Sequence, residues 1–155
     1  MSEKPILAIG VVVVLIAVVL AYSIHVAFRP NPYMSASFTI DDGQTVFVDS
    51  ARRIAPFDHD GKPADRAYMY TCDGGKTRFV GYLEHFTQSG KAKLVQEVAD
   101  FDSGKRHSPP MAGPDDIEVR KPGPSNSWIN RSDPRAEQVV RVSCPNGGTA
   151  EPVFP

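Results

Sequence analysis

The longest apolar stretch of the chain runs from Ile6 to Phe28 and contains no Asp, Glu, Lys or Arg. About 20 apolar residues in a helix are enough to cross a hydrocarbon core of about 30 Å. In lipid the backbone must satisfy its own hydrogen bonds, which favours a helix despite the many β-branched residues. The pattern therefore predicts one transmembrane helix over residues 6–28, after a short tail of residues 1–5.

A cleaved signal peptide is the alternative interpretation of this stretch. A signal peptide usually has an apolar region of about 7–15 residues and a small-residue cleavage site. The stretch is longer, and Ala21-Tyr22-Ser23 is a poor cleavage site. The anchor interpretation predicts a single-pass protein of the inner (cytoplasmic) membrane that contacts lipid through residues 6–28. Residues 29–34 are then a linker, and residues 35–155 an extracytoplasmic domain, in the periplasm or otherwise outside the cytoplasm.

The remainder of the chain shows mainly strand patterns with one helical segment. Residues 50–66 are polar and irregular, and residues 79–86 fit either a strand or a helix. From Thr87 to Gly104, apolar residues recur at helical spacing, which predicts one amphipathic helix. The fold class that we predict for this part is α+β, a small, mainly antiparallel sheet with one packed helix and long irregular loops. Strands are predicted over residues 35–40, 45–48, 67–72, 117–120 and 137–143.

Composition predicts a thin core and argues against a nucleic-acid partner. From Pro30 onward the chain has 23 Leu, Ile, Val and Phe residues among 126, about 18%. That is just under the content at which chains struggle to form a core. The same part has 15 basic and 17 acidic residues, so it presents no strong positive field to attract phosphates. We find no internal repeat of domain size.

Two cysteines, each followed by a pair of glycines, form the most informative motif. Cys72-Asp73-Gly74-Gly75 and Cys144-Pro145-Asn146-Gly147-Gly148 have the outline of zinc knuckles whose glycines turn the backbone. A structural zinc site needs four ligands, and the second cysteine of each knuckle is missing. The two cysteines could instead form a disulfide, which an exported location permits, or remain as buried thiols.

The order of motifs resembles a group of small bacterial proteins of uncharacterised activity, each with one N-terminal hydrophobic segment. The likeness covers most of the domain and implies a single-pass membrane-anchored architecture with a degenerate zinc-ribbon-like Cys/Gly pattern. It implies no activity. The residues that carry it are the segment Tyr70–Glu84, the segment Val119–Gly123, Trp128, the motif that begins at Cys144, and Pro152-Val153-Phe154-Pro155.

No acid/base constellation or phosphate-binding loop is evident, so we predict no catalytic residue, no cofactor and no metal ligand. The first hypothesis is a membrane-tethered, non-catalytic interaction module, an accessory or structural subunit of a larger membrane or envelope complex. Trp128 and Phe154 are its candidate partner contacts, because exposed aromatic residues anchor interfaces. The alternatives are an exported domain that binds a metal or small ligand, and an enzyme that uses a Cys/His site.

Overall fold

The structure, a computed structural model, describes residues 15–23, 34–124 and 126–155. The chain divides into two units, residues 1–31 and residues 32–155. In the first unit, residues 15–23 are helical and exposed.

The predicted transmembrane helix over residues 6–28 is not supported. Among the described residues, no helix combines the length and the apolar character needed to cross a membrane. The described helical part of that segment has nine residues. The rest of the predicted span, the tail 1–5 and residues 29–33 of the linker lie outside the described residues. The inner-membrane location drawn from this helix is corrected with it, and the lipid contact of residues 6–28 stays a prediction.

The second unit is built on one antiparallel sheet. The strand order is β2-β1-β4-β5-β6-β7, and β3 and β8 also pair with β4. The strands are β1 (Ser35–Thr39), β2 (Phe47–Ser50), β3 (Phe57–His59), β4 (Lys62–Thr71), β5 (Phe79–Phe86), β6 (Ile117–Arg120), β7 (Ile129–Asn130) and β8 (Glu151–Val153). The helices are α1 (Gln88–Asp102) and α2 (Ala136–Val140), and a 3-10 turn spans Pro114–Asp116.

The register of the sheet separates two faces, since alternate residues of a strand point to opposite sides. One side, called here the core face, carries Phe38 and Val119, and both helices contact it. Phe38 is fully buried and packs edge-on against Phe57, with ring centroids 5.0 Å apart. The other side, called here the open face, carries Val48, Asp65 and His85. Most of the buried apolar residues are alanines, which agrees with the thin core expected from composition.

Helix α1 confirms the helix predicted from Thr87 onward. The Thr87 hydroxyl accepts a hydrogen bond from the Gly90 amide at 3.0 Å, which caps the first turn. A Cβ on Gly90 would come within 2.8 Å of the backbone of Asp116, so only glycine lets α1 approach the 3-10 turn this closely. The segment 79–86, which fitted two elements, is strand β5.

Two sequence predictions about the sheet were wrong. Residues 137–143 were predicted as the clearest strand, but α2 occupies Ala136–Val140. Ala136 is fully buried and α2 packs on β6, so tertiary burial overrides the strand preference of the two valines. Residues 50–66 were predicted to be irregular, but they contain β3 and the start of β4. Pro63 pairs there with Asp58 near a tight turn, where a strand tolerates proline.

Candidate functional site

A charged cluster surrounds His85 on the open face, called here the His85 cluster. Its ring lies between two carboxylates, with Nδ1 at 3.0 Å from Asp65 and Nε2 at 3.1 Å from Glu118. The Trp128 indole stacks on the imidazole with centroids 3.6 Å apart, and the Arg120 guanidinium carbon lies 4.6 Å from the indole ring. Four of these residues lie on the adjacent strands β4, β5 and β6: Asp65, His85, Glu118 and Arg120. The register of the sheet places His85 directly opposite Glu118.

Arg120 ties the cluster to the hairpin between β1 and β2. Its guanidinium forms an ion pair with Asp42 and lies 4.0 Å from Asp65, and it donates to the Gly123 carbonyl at 3.1 Å. The side chain is 9% exposed, and within the described part of the chain its Nε has no hydrogen-bond partner. A buried charge needs compensation, so Arg120 depends on these carboxylates.

The arrangement favours the cationic form of His85. Burial lowers the pKa of His85, but the hydrogen bonds that its ring donates to Asp65 and Glu118 outweigh burial, so the pKa stands above its usual value. Both ring nitrogens then donate, and neither is free to accept a substrate proton. The carboxylates bind opposite edges of the ring, so the three groups do not converge on one metal position. The geometry therefore suits cross-linking of three strands better than acid/base chemistry.

The raised pKa of His85 predicts a pH-dependent stability. His85 contributes stability that is fully present below the unfolded pKa of about 6.5. That contribution is lost as pH rises through the folded pKa. The contribution of His85 to the free energy of unfolding should therefore fall as the pH rises above about 6.5, and this fall should be absent in His85→Gln. Urea titrations at several pH values measure both slopes. Equal slopes would show that folding does not raise the pKa of His85.

Cys72 and Cys144 form a disulfide that joins the end of β4 to the turn before β8, with Cα atoms 5.8 Å apart. Gly74, Gly75 and Gly147 have φ values of 69°, 93° and 81°, which glycine adopts without strain. Gly148 adjoins them and donates to the Asn146 side chain at 3.2 Å.

The disulfide changes the chemistry that the cysteines can perform. Since both sulfur atoms are bonded to each other, the knuckles have no thiolate for zinc and a Cys/His site has no nucleophile. No group of three or more His, Cys, Asp or Glu residues in the described ranges could hold a metal ion. The zinc-knuckle outline in the sequence therefore corresponds to two turns that a disulfide connects.

A short repeat escaped the sequence analysis. Thr39, Asp41, Gly43 and Thr45 recur 32 residues later in the turn that follows β4, in the same Thr-x-Asp-x-Gly-x-Thr spacing. In the first loop, the Thr39 hydroxyl donates to the Asp41 carboxylate at 2.9 Å. The Gly43 amide donates to the Thr39 hydroxyl at 2.9 Å, and the Thr45 amide donates to the Asp41 carboxylate at 2.8 Å.

The second loop repeats the three bonds at 2.9 Å each, among Thr71, Asp73, Gly75 and Thr77. The Thr77 hydroxyl lowers the pKa of Asp73 to about 2. These carboxylates are therefore used to close turns, and the first turn presents Asp42 to Arg120.

A hollow of about 190 Å³ lies on the open face. We call it the Phe154 hollow. Val48 and Phe154 are 59% and 65% exposed at its rim, and Val46 is also exposed. Its lining residues are Ser37, Val46, Val48, Met69, Arg78, Val153, Phe154 and Pro155.

The structure separates the two aromatic residues predicted as partner contacts. Trp128 is half-buried and packs between His85 and Arg120, so it belongs to the His85 cluster. Phe154 stands exposed beside the apolar side chains of β2 and β8. Sequence reasoning missed Val46 and Val48, which alternate with the half-buried Phe47, a pattern typical of an edge strand with one uncovered side.

Comparisons of the chain with family models, curated proteins and solved structures find no match.

Proposed function

We propose that residues 32–155 form a non-catalytic interaction module, an accessory subunit that binds an extended apolar segment of a partner protein in the Phe154 hollow. The observation that carries this proposal is the uncovered apolar rim beside an edge strand. β2 stands at one end of the strand order, so the outer side of its backbone can accept another strand.

The hollow has the features of an anchor site. Met69 forms part of its floor, and Val48 and Phe154 rise on either side. A volume of about 190 Å³ accommodates one or two apolar side chains of an incoming segment. In protein interfaces a few such anchors contribute most of the binding free energy. An extended partner segment would pair with β2 through its backbone and fill the hollow with alternate side chains.

Charge favours a different protein over a second copy of this chain. Arg78 is the charged side chain among the residues that line the hollow. A twofold interface places the same patch against itself, so Arg78 of two copies would lie close together. A partner segment that carries an acidic residue next to its apolar anchors avoids this repulsion and pairs with Arg78.

The non-catalytic part of the proposal is supported by the chemistry of the described residues. Cys72 and Cys144 are joined in a disulfide, and both nitrogens of His85 are engaged by carboxylates. These three side chains are thus committed to holding the fold.

The test is affinity purification of the tagged full chain with its companions, followed by mass spectrometry. Val48→Lys and Phe154→Ala should each reduce recovery of a reproducible companion by at least tenfold, because loss of an anchor costs about 2 kcal/mol. Met111→Lys is the matched control, since Met111 is an apolar residue that is 74% exposed and does not line the hollow. A chain that is monomeric under every gentle extraction would overturn the proposal, and so would equal loss in the Met111→Lys control.

A further inference from the structure

A second concavity, on the core face, lies between α1 and residues 51–54 and has a volume of about 360 Å³. We call it the α1 groove. That volume lies within the range of about 300–1,000 Å³ typical of small-molecule sites. Its walls are mainly apolar, formed by Ala51, Ile54, Phe86, Leu94, Val98, Phe101 and Pro110.

Three arginines stand around these apolar walls. Arg52, Arg53 and Arg66 line the groove together with one acidic residue, Asp102. The lining therefore carries an excess of positive charge in a chain whose formal net charge is −1. An apolar surface edged by guanidinium groups is complementary to a molecule with an apolar body and an anionic head.

The arginines differ in how far they are already engaged. Arg53 is held by Asp49 at 3.1 Å and lies over the Phe57 ring. The pair between Arg52 and Asp102 spans 3.7 Å, with both side chains more than half exposed, so it is weak and displaceable.

Arg66 rises from the floor of the groove on β4. Its guanidinium carbon is 5.4 Å from the centroid of the Tyr68 ring. The described residues give it no carboxylate within ion-pair distance, although Glu84 lies opposite it across β4 and β5. Tyr68 donates to Glu84 at 2.8 Å, and the positive charge of Arg66 acts on that carboxylate from beyond ion-pair distance, so the guanidinium has no direct carboxylate contact among the described residues. Arg66 is therefore the arginine best placed to receive an anionic head.

We infer that the α1 groove binds an amphipathic monoanion, an aliphatic chain that ends in a carboxylate. The aliphatic chain of the ligand lies along Leu94, Val98 and Phe101 of α1. Its carboxylate is bound by Arg66 and by Arg52, which gives up its weak ion pair with Asp102. The site is on the opposite side of the sheet from the Phe154 hollow and does not depend on the proposed interaction.

Photoaffinity labelling of the purified full chain with a diazirine derivative of dodecanoate tests this inference. Peptide mapping should place the label on residues 51–54 and on the groove side of α1. Dodecanoate should compete with the label, and dodecanol should compete about tenfold more weakly because it lacks the charge. Arg66→Gln should weaken labelling of these peptides about tenfold. Arg141→Gln, at an exposed arginine that does not line the groove, should leave it unchanged.

A second variant keeps the test independent of any loss of folding in Arg66→Gln. Val98→Trp fills the groove from the helix and leaves all three arginines in place, so it should abolish labelling there. Absence of label from the groove peptides would overturn the inference. Equal competition by dodecanol, or unchanged labelling in both variants, would do so as well. Displacement of the label by an acidic peptide at lower concentration than dodecanoate would reassign the groove to a protein partner.

Discussion

Replacing both cysteines, Cys72→Ala with Cys144→Ala, should lower the free energy of unfolding by about 4 kcal/mol. The disulfide closes a loop with a sequence separation of 72 residues, and loss of the cross-link restores the entropy of that loop to the unfolded chain. Small domains have total stabilities of about 5–15 kcal/mol. With a core made largely of alanines, this domain should lose a large fraction of its stability.

Denaturant titration of the full chain and of the double variant measures this effect. The slope of unfolding free energy against denaturant should also rise in the variant, because an unfolded chain without the cross-link exposes more surface. Wild-type protein treated with a reductant serves as the control, and it should match the variant in both quantities. A loss below about 1 kcal/mol with an unchanged slope would show that other contacts restrain this loop.

Arg120→Met should cost about 3 kcal/mol, the second of the two largest effects. Breaking a buried ion pair leaves the other charge uncompensated, at a cost of about 3–5 kcal/mol. Since Asp42 is 29% exposed, water relieves part of the penalty and the lower end applies. The substitution also removes the guanidinium that packs on Trp128. Arg120→Lys should give an intermediate loss, because an ammonium group cannot reproduce the planar fork.

Thermal and urea unfolding measure the loss of stability in Arg120→Met and in the control variant Arg141→Met. Arg141 pairs with Glu137 at 3.8 Å with both side chains more than half exposed, so its loss should change stability by less than about 0.5 kcal/mol. If the two variants lose the same amount, the His85 cluster does not stabilise the sheet.

The local spacing of apolar residues was enough to predict helix α1 and strands β1 and β2. Helix α1 follows from apolar residues at helical spacing, and β1 and β2 follow from alternation on either side of a polar turn. The transmembrane helix over residues 6–28 was inferred from the length and apolar character of one stretch, and no helix among the described residues meets the requirement for a span. For α2, two valines favour a strand locally, but burial of Ala136 decides for a helix.

The sites depend on contacts between distant parts of the chain. His85 meets Asp65 and Glu118 only through the register of β4, β5 and β6, and no spacing in the sequence encodes that register. Two signals were available in the sequence itself. The spacing from Thr39 to Thr45 returns at Thr71, and β2 places an exposed valine next to a half-buried phenylalanine.

Site-specific photo-crosslinking tests the proposed interaction most directly. A photoreactive phenylalanine analogue in place of Phe154 should give a covalent adduct between the full chain and a second, different protein in cells. The same analogue in place of Met111 should give no such adduct. Equal adducts from both positions, adducts only between two copies of this chain, or no adduct from position 154 would contradict the proposal that the Phe154 hollow binds a partner protein.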